Sequence, residues 1–282
     1  TDPMPLLQRP GKPAIHYVVD DHTDPWRDAP FILLQHGYGR SAEFWRSWVP
    51  YLSRFYRVIR ADLRGFGRSP LDFDPHKEFS VANFLEDIIA VIDHVGGGRV
   101  HYCGESLGGI FGLVLAATVP ERLRTLSVVA APVTIPRHTQ ETFAFGHASW
   151  QDALRAMGSR GWAAAANASS RFPPGTDQGL MDWYAAEMGK TDVEALIALS
   201  RIASTVDISE YLPKVRVPML GLYPTGGTIT RFEEQQIRES VPGIRIINLP
   251  TQYHAIQVLM PAACAKAVLH FCGEHDGVAN HE

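Results

Sequence analysis

The chain has 282 residues, an apolar fraction of 45%, a charged fraction of 20% and a formal net charge of −4. That length holds one large α/β domain, or one domain with a modest insertion, and the composition is that of an ordinary soluble globular protein. The mild acidity and the lack of a dense Lys/Arg cluster exclude an electrostatic case for a nucleic-acid partner.

Cys103, Cys264 and Cys272 sit in apolar contexts without C-x-x-C spacing. This pattern fits buried thiols in a reducing compartment better than disulfides or a zinc site, and no metal or cofactor site is read. The N-terminal segment Thr1 to Leu7 lacks a basic-then-apolar signal pattern, and no apolar run is long enough to span a bilayer. With no Met at position 1, the original start is expected upstream. The expected compartment is the cytoplasm, with no membrane partner.

In chain order, short apolar runs alternate with helical periodicity, the pattern of a parallel sheet covered by helices. Ala14 to Val19 reads as an arm of an antiparallel edge hairpin, and Phe31 to Gln35 as a buried strand. A helix is expected over Ala42 to Arg54, and the next strand over Tyr56 to Ala61. Phe84 to Val95 reads as a helix stopped by Gly96-Gly97-Gly98. Val100 to Cys103 leads into Gly104-Glu105-Ser106-Leu107-Gly108 and a helical run from Gly109 to Ala117. Leu123 to Ala131 is the next strand, ended by Pro132. The rhythm then changes. From 133 to 212 no strand is read, and helices are expected near 150–169, 177–189 and 191–204. Strands resume at Pro218 to Tyr223 and Ile244 to Leu249, followed by a helix from Pro261 to Cys272 and a frayed tail from Gly273. The expected division is an α/β core over 1–132 and 213–282, with a helical cap over 133–212.

A serine between two glycines at a strand-to-helix junction is how a strained turn exposes a hydroxyl as a nucleophile. The motif alone arises in about one chain in ten at this glycine and serine content, so its surroundings must carry the case. Ser106 needs a base, because a hydroxyl at its free pKa is a poor nucleophile. His254 follows the last strand and precedes the last helix, which returns it to the edge of the sheet where the serine turn lies. Gln35-His36-Gly37-Tyr38-Gly39 ends the first buried strand. There the N–H of Tyr38 pairs with that of Leu107 as the expected oxyanion hole, two donors worth roughly 3 kcal/mol each. Asp62 to Ser69 forms a polar-glycine turn expected to brace the site. His36 is expected to brace its loop rather than transfer protons, and Glu105 to point away from the serine. Trp150, Trp162 and Trp183 are expected to pack rather than contact substrate.

In these residues the chain resembles the α/β-hydrolases over essentially its whole length. Gln35-His36-Gly37, Asp62-x-Arg64-Gly65-x-Gly67-x-Ser69, Gly104-x-Ser106-x-Gly108-Gly109 and His254 occur in the order that family shows. The resemblance implies a mostly parallel, doubly wound sheet with a helical cap inserted after the sixth strand. It further implies hydrolysis of small carboxylic esters or lactones, with Ser106 as nucleophile, His254 as general base and an acyl-enzyme intermediate. Asp at the nucleophile position, which marks the epoxide hydrolases and dehalogenases of the family, is absent. One element departs from the pattern. The acid that orients the histidine usually follows the strand corresponding to Met219 to Tyr223, where this chain reads Pro224-Thr225-Gly226-Gly227-Thr228-Ile229-Thr230. Zearalenone lactonases and cofactor-free quinolone dioxygenases place it one strand earlier, where this chain has Ala130-Ala131-Pro132-Val133-Thr134. The triad acid is therefore unassigned. Glu233, Glu234 or Asp207 reaching His254, Thr225 or Thr228 or a backbone carbonyl orienting it, and ligand binding with little turnover all stay open. The expected substrate is a small apolar or aromatic ester or lactone. C–C bond hydrolysis, cofactor-free oxygenation and a receptor on a hydrolase scaffold are the alternatives. A homodimer is left open.

Overall fold

The computed structural model describes residues 5–278. Its centre is an eight-stranded sheet in the order β1-β2-β4-β3-β5-β6-β7-β8. The strands are β1 (Leu6–Arg9), β2 (Lys12–Asp20), β3 (Phe31–Gln35), β4 (Arg57–Ala61), β5 (Val100–Glu105), β6 (Leu123–Val129), β7 (Met219–Pro224) and β8 (Arg245–Leu249). β1 and β2 form an antiparallel hairpin that joins β4 antiparallel, and the remaining pairs are parallel. Every residue of β3, β5 and β7 is buried. Helices on both faces explain this, and they are why these strands read as unbroken apolar runs rather than as alternation.

The loops after β3, β5, β7 and β8 all leave the carboxyl edge of the sheet, where an open α/β sheet binds its ligands. Across β3 and β5 the register pairs Gln35 with Gly104, so the two loops that follow start side by side. Between β6 and β7 the chain forms a helical cap of Arg137–Phe143, Trp150–Ala166, Gln178–Gly189 and Val193–Thr205. The Trp150–Ala166 helix is kinked at Gly158, whose φ is 69°, and runs on into a π-helical turn over Asn167–Arg171.

Three expectations are corrected. Ala42 to Arg54 is no single helix: a 3₁₀ turn over Ala42–Trp45 precedes a short helix over Val49–Leu52. Its first amide, on Ala42, is held by Asp62 Oδ1 at 2.7 Å, so a long-range bond sets the turn in place of a local cap. Two elements escaped notice in the sequence, the helix Arg137–Phe143 and the helix Arg231–Ser240. The latter opens with a reciprocal capping box between Thr230 and Glu233. The last helix runs over Pro261–Asp276, well beyond Cys272, because Asp276 is anchored on His101 and Tyr56. The end of the expected frayed tail, 279–282, lies outside the described residues, as do residues 1–4 of the N-terminal segment. Among the described residues no helix is long and apolar enough to cross a membrane.

Candidate active site

Ser106 sits between the last residue of β5 and the helix Leu107–Thr118, with φ 52° and ψ −118°. A positive φ at a non-glycine residue costs on the order of 1–3 kcal/mol and persists only where its surroundings enforce it. Its surroundings do so through contact at the flanking glycines. A Cβ on Gly104 would collide with the backbone of Gly108, and one on Gly108 with the carbonyls of Gln35 and His36. The Ser106 amide donates to the carbonyl of Val129 at 2.8 Å, tying the elbow to β6. Among the described residues nothing bonds Ser106 Oγ, and the amides of Tyr38 and Leu107 are likewise unengaged by any acceptor.

The loop carrying Tyr38 is held by a buried acid–base pair. Glu105 Oε2 accepts from the Gly37 amide at 3.0 Å and from Arg40 Nε at 2.9 Å, while Oε1 accepts from Arg40 Nη2 at 2.5 Å. The Arg40 charge holds up its own protonation despite burial, through Glu105 and Tyr184. Glu105, expected to point away from the serine, is thus the clamp of the neighbouring loop. His36 donates from Nδ1 to the Gly37 carbonyl at 2.9 Å and accepts at Nε2 from the Leu63 amide at 3.0 Å. Burial lowers its pKa to about 4 against the pull of Asp62, so it stays neutral with both nitrogens engaged. Asp62 accepts from the amides of Ala42 and Arg68 and pairs with His16 Nδ1 at 2.7 Å. Burial opposes its charge, but the His16 bond and the His36 ring nearby keep the carboxyl below its ordinary value.

His254 lies on the loop after β8. Its amide donates to the Ser170 carbonyl at 3.0 Å, and the next amide, of Ala255, to that of Arg171 at 3.3 Å. Its Nδ1 stands 3.3 Å from Thr228 Oγ1. Among the described residues no carboxylate bonds the ring. Glu233 caps its helix through Thr230, Glu234 binds Asn248 and Arg238, and Asp207 closes a turn on Ser209. Burial, followed by the positive charges of Arg40 and Arg171, lowers the His254 pKa to about 3. The ring is a neutral acceptor at ordinary pH, and a proton placed on it meets the positive charges of Arg40 and Arg171.

Ser106, His254, Thr228, Tyr38 and Leu107 all line one narrow cavity of about 50 Å³. Most of the remaining wall is cap, with Ile135, Phe143, Trp150, Trp162 and Arg171 among others, and the core adds Arg40, Pro132 and Ile229. Trp150 and Trp162 therefore do both jobs, packing on each other with centroids 6.0 Å apart and facing the cavity. Trp183 packs on Phe44 instead.

The alpha/beta hydrolase fold model matches residues 30–188, more than half of the chain. The chain belongs to the alpha/beta hydrolase fold family. Within it, the chain is 28% identical over 251 residues to RutD of Azorhizobium caulinodans, a protein named provisionally for carbamate hydrolysis; the match covers 87% of this chain and 92% of that one. It is also 28% identical over 261 residues to the pimeloyl-acyl-carrier-protein methyl ester esterase of Aeromonas hydrophila, covering 86% and 96%. Among solved structures, the enol-lactonase from Burkholderia xenovorans superposes with a TM-score of 0.80 at 22% identity, covering 95% of this chain and 99% of that one.

Two features of this hydrolase-fold site escaped the sequence reading. Arg40 and Glu105 are 65 residues apart, so only the fold brings them together. Arg171 falls on a π-helical turn, where the 3.6-residue rhythm that flags a helix face is broken.

Proposed function

We propose that the protein hydrolyses small carboxylic esters or lactones by acyl transfer through Ser106. One observation carries this reading: a strained serine with a free hydroxyl shares a cavity with a neutral histidine, one of whose nitrogens faces a threonine hydroxyl. With Nδ1–H donating to Thr228 Oγ1, the lone pair of His254 Nε2 is left as the base. Ser106 Oγ attacks the carbonyl carbon while its proton passes to Nε2. The oxyanion is received by the amides of Tyr38 and Leu107, donors that are preorganised and cost nothing to align during reaction. The histidine then protonates the leaving oxygen. Water, deprotonated by the same nitrogen, cleaves the acyl-enzyme and returns Ser106.

The names of similar chains span a carbamate, a methyl ester and an enol-lactone, all acyl groups on a heteroatom leaving group. That range supports acyl transfer over C–C cleavage or oxygenation. Replacing the triad acid where a site is built around it costs about 10⁴ in kcat. A Ser–His dyad steadied by Thr228 therefore suits activated acyl groups, such as aryl esters and enol lactones. The residues 133–212 act as the cap over that substrate.

The missing carboxylate is also the one observation that favours a second reading, a binding protein with little turnover. An organophosphonate separates the two. Covalent labelling of Ser106, seen as a mass shift absent from Ser106→Ala, is the expected result, with release of phenol from phenyl esters alongside it. A folded protein that takes no label sinks the hydrolase reading.

A further inference from the structure

Two guanidiniums line the cavity, and they are not equivalent. Arg40 is fully engaged, with Nε and Nη2 on Glu105 and Nη1 on the Tyr184 hydroxyl at 3.3 Å. Arg171 is only 4% exposed, yet no carboxylate pairs with it among the described residues. Its Nη1 donates to Asn167 Oδ1 at 3.3 Å and to Met188 Sδ at 3.1 Å, both uncharged. Its remaining neighbours are the faces of Trp162 and Tyr184, at 5.3 and 5.1 Å from the guanidinium carbon. Nε and Nη2 have no partner among the described residues, so one edge of the guanidinium is unoccupied. Taken together, Arg40, Glu105 and Arg171 leave the cavity with one positive charge in excess.

A buried charge without a counterion is costly, and proteins ordinarily pair such groups or neutralise them. Arginine does not neutralise, because its charge persists at any pH where the fold exists. The counterion must then come with the ligand. A guanidinium edge of two adjacent N–H donors matches a carboxylate in bidentate fashion. A monoanion balances the single surplus charge, whereas a dianion would leave a buried negative charge in its place. We infer that Arg171 anchors a carboxylate on the substrate, so that the compound hydrolysed is an acid ester or acid lactone with a free carboxylate beyond the scissile acyl group. The bond cleaved rests on the hydrolase reading above; the anion site does not.

The same charge links specificity to the base. Arg171 is one of the two cations that push His254 away from protonation. A substrate carboxylate seated on Arg171 cancels that influence at the moment the imidazolium must form. A neutral ester enters a cavity where the base is hindered, while an acid ester repairs the defect as it binds. Arg171 is in this sense the specificity-determining residue, and the apolar walls formed by Ile135, Phe143 and Trp150 would hold the connecting chain.

The test compares monophenyl adipate with phenyl hexanoate, esters of similar length that differ in the terminal carboxylate. The wild-type ratio of kcat/KM, acid over neutral, is expected to be about 100-fold, the order set by a charge-assisted pair. In Arg171→Met the ratio should fall to near one, and in Arg171→Lys to an intermediate value, because a point charge lacks the fork. A ratio near one in the wild type, or one unchanged in Arg171→Met, overturns the inference, and a ratio is insensitive to partial misfolding. Calorimetry with free adipate reads the site without chemistry. Binding to Ser106→Ala that disappears in Ser106→Ala with Arg171→Met supports the anchor even if no ester turns over, whereas equal or absent binding in both refutes it.

Discussion

The two ends of strand β5 carry two histidine arrangements, and they differ in what stands behind the ring. At the amino end, His101 has its Nδ1 on Thr125 Oγ1 at 2.8 Å and its Nε2 on Asp276 Oδ2 at 2.7 Å, and Asp276 also accepts from Tyr56 at 2.9 Å. At the carboxyl end, Ser106 shares its cavity with His254, whose ring meets a threonine hydroxyl and, among the described residues, no acid. Burial lowers both histidines, but Asp276 opposes that shift at His101, while Arg40 and Arg171 deepen it at His254. A carboxylate makes the first arrangement a closed structural joint. Its absence leaves the second ring without a counter-charge and, on the proposed reading, makes it a weak base. The protein thus spends its acid–histidine pairs on holding the fold, and leaves the cavity positive.

The largest expected effect falls at the carboxyl end. His254→Ala should lower kcat on a phenyl ester by about 10⁶, the scale for losing a base that acts as a unit with its nucleophile. Steady-state kinetics on the purified variant checks it, and a loss below tenfold would remove His254 from the mechanism. Next comes an attempt to make the two ends alike. Thr228→Asp supplies the missing carboxylate and should raise kcat on a neutral ester roughly tenfold to a hundredfold, a fraction of what an acid is worth in a built triad. It should also move the acid limb of the pH profile. In the wild type the base is neutral down to about pH 3, so kcat/KM is expected to hold through pH 6.5 and fall only toward that value. A new carboxylate raises the ring's pKa, so the fall in Thr228→Asp should begin at higher pH. The same shift has a stability side. The unfolded ring takes its proton near 6.5 and the folded one resists, so the stability it contributes is present above about 6.5 and lost as pH falls toward about 3. The smallest effect belongs to the amino end. Asp276→Asn should cost about 1–3 kcal/mol in urea unfolding while leaving kcat unchanged. A drop in kcat instead would mean that the joint tunes the site through β5.

The sheet and its elbow were legible because their causes are local. Buried parallel strands read as apolar runs, and the glycines around Ser106 announce a turn that no side chain could enter. The slot opposite His254 was legible as empty of acid for the same reason, since it is a short loop fixed by the strand before it. What stayed hidden depends on residues far apart in the chain. Asp276 extends the last helix only because His101 and Tyr56 wait at the other end of the sheet. Arg171 reads as an ordinary cap residue until the fold sets it beside the cavity with no carboxylate on it among the described residues. The 3₁₀ turn that starts at Ala42 is capped by Asp62, twenty residues on, and not by a neighbour in the chain.

The bonds from the amides of His254 and Ala255 to the carbonyls of Ser170 and Arg171 make the histidine loop and the cap a single seam. Moving the cap away at that seam would either break both bonds or carry the histidine loop with it. Exchange of caps between related proteins would meet the same constraint. A transplanted cap has to bring two carbonyls to the place where Ser170 and Arg171 now offer theirs, or the histidine loop loses both of these bonds.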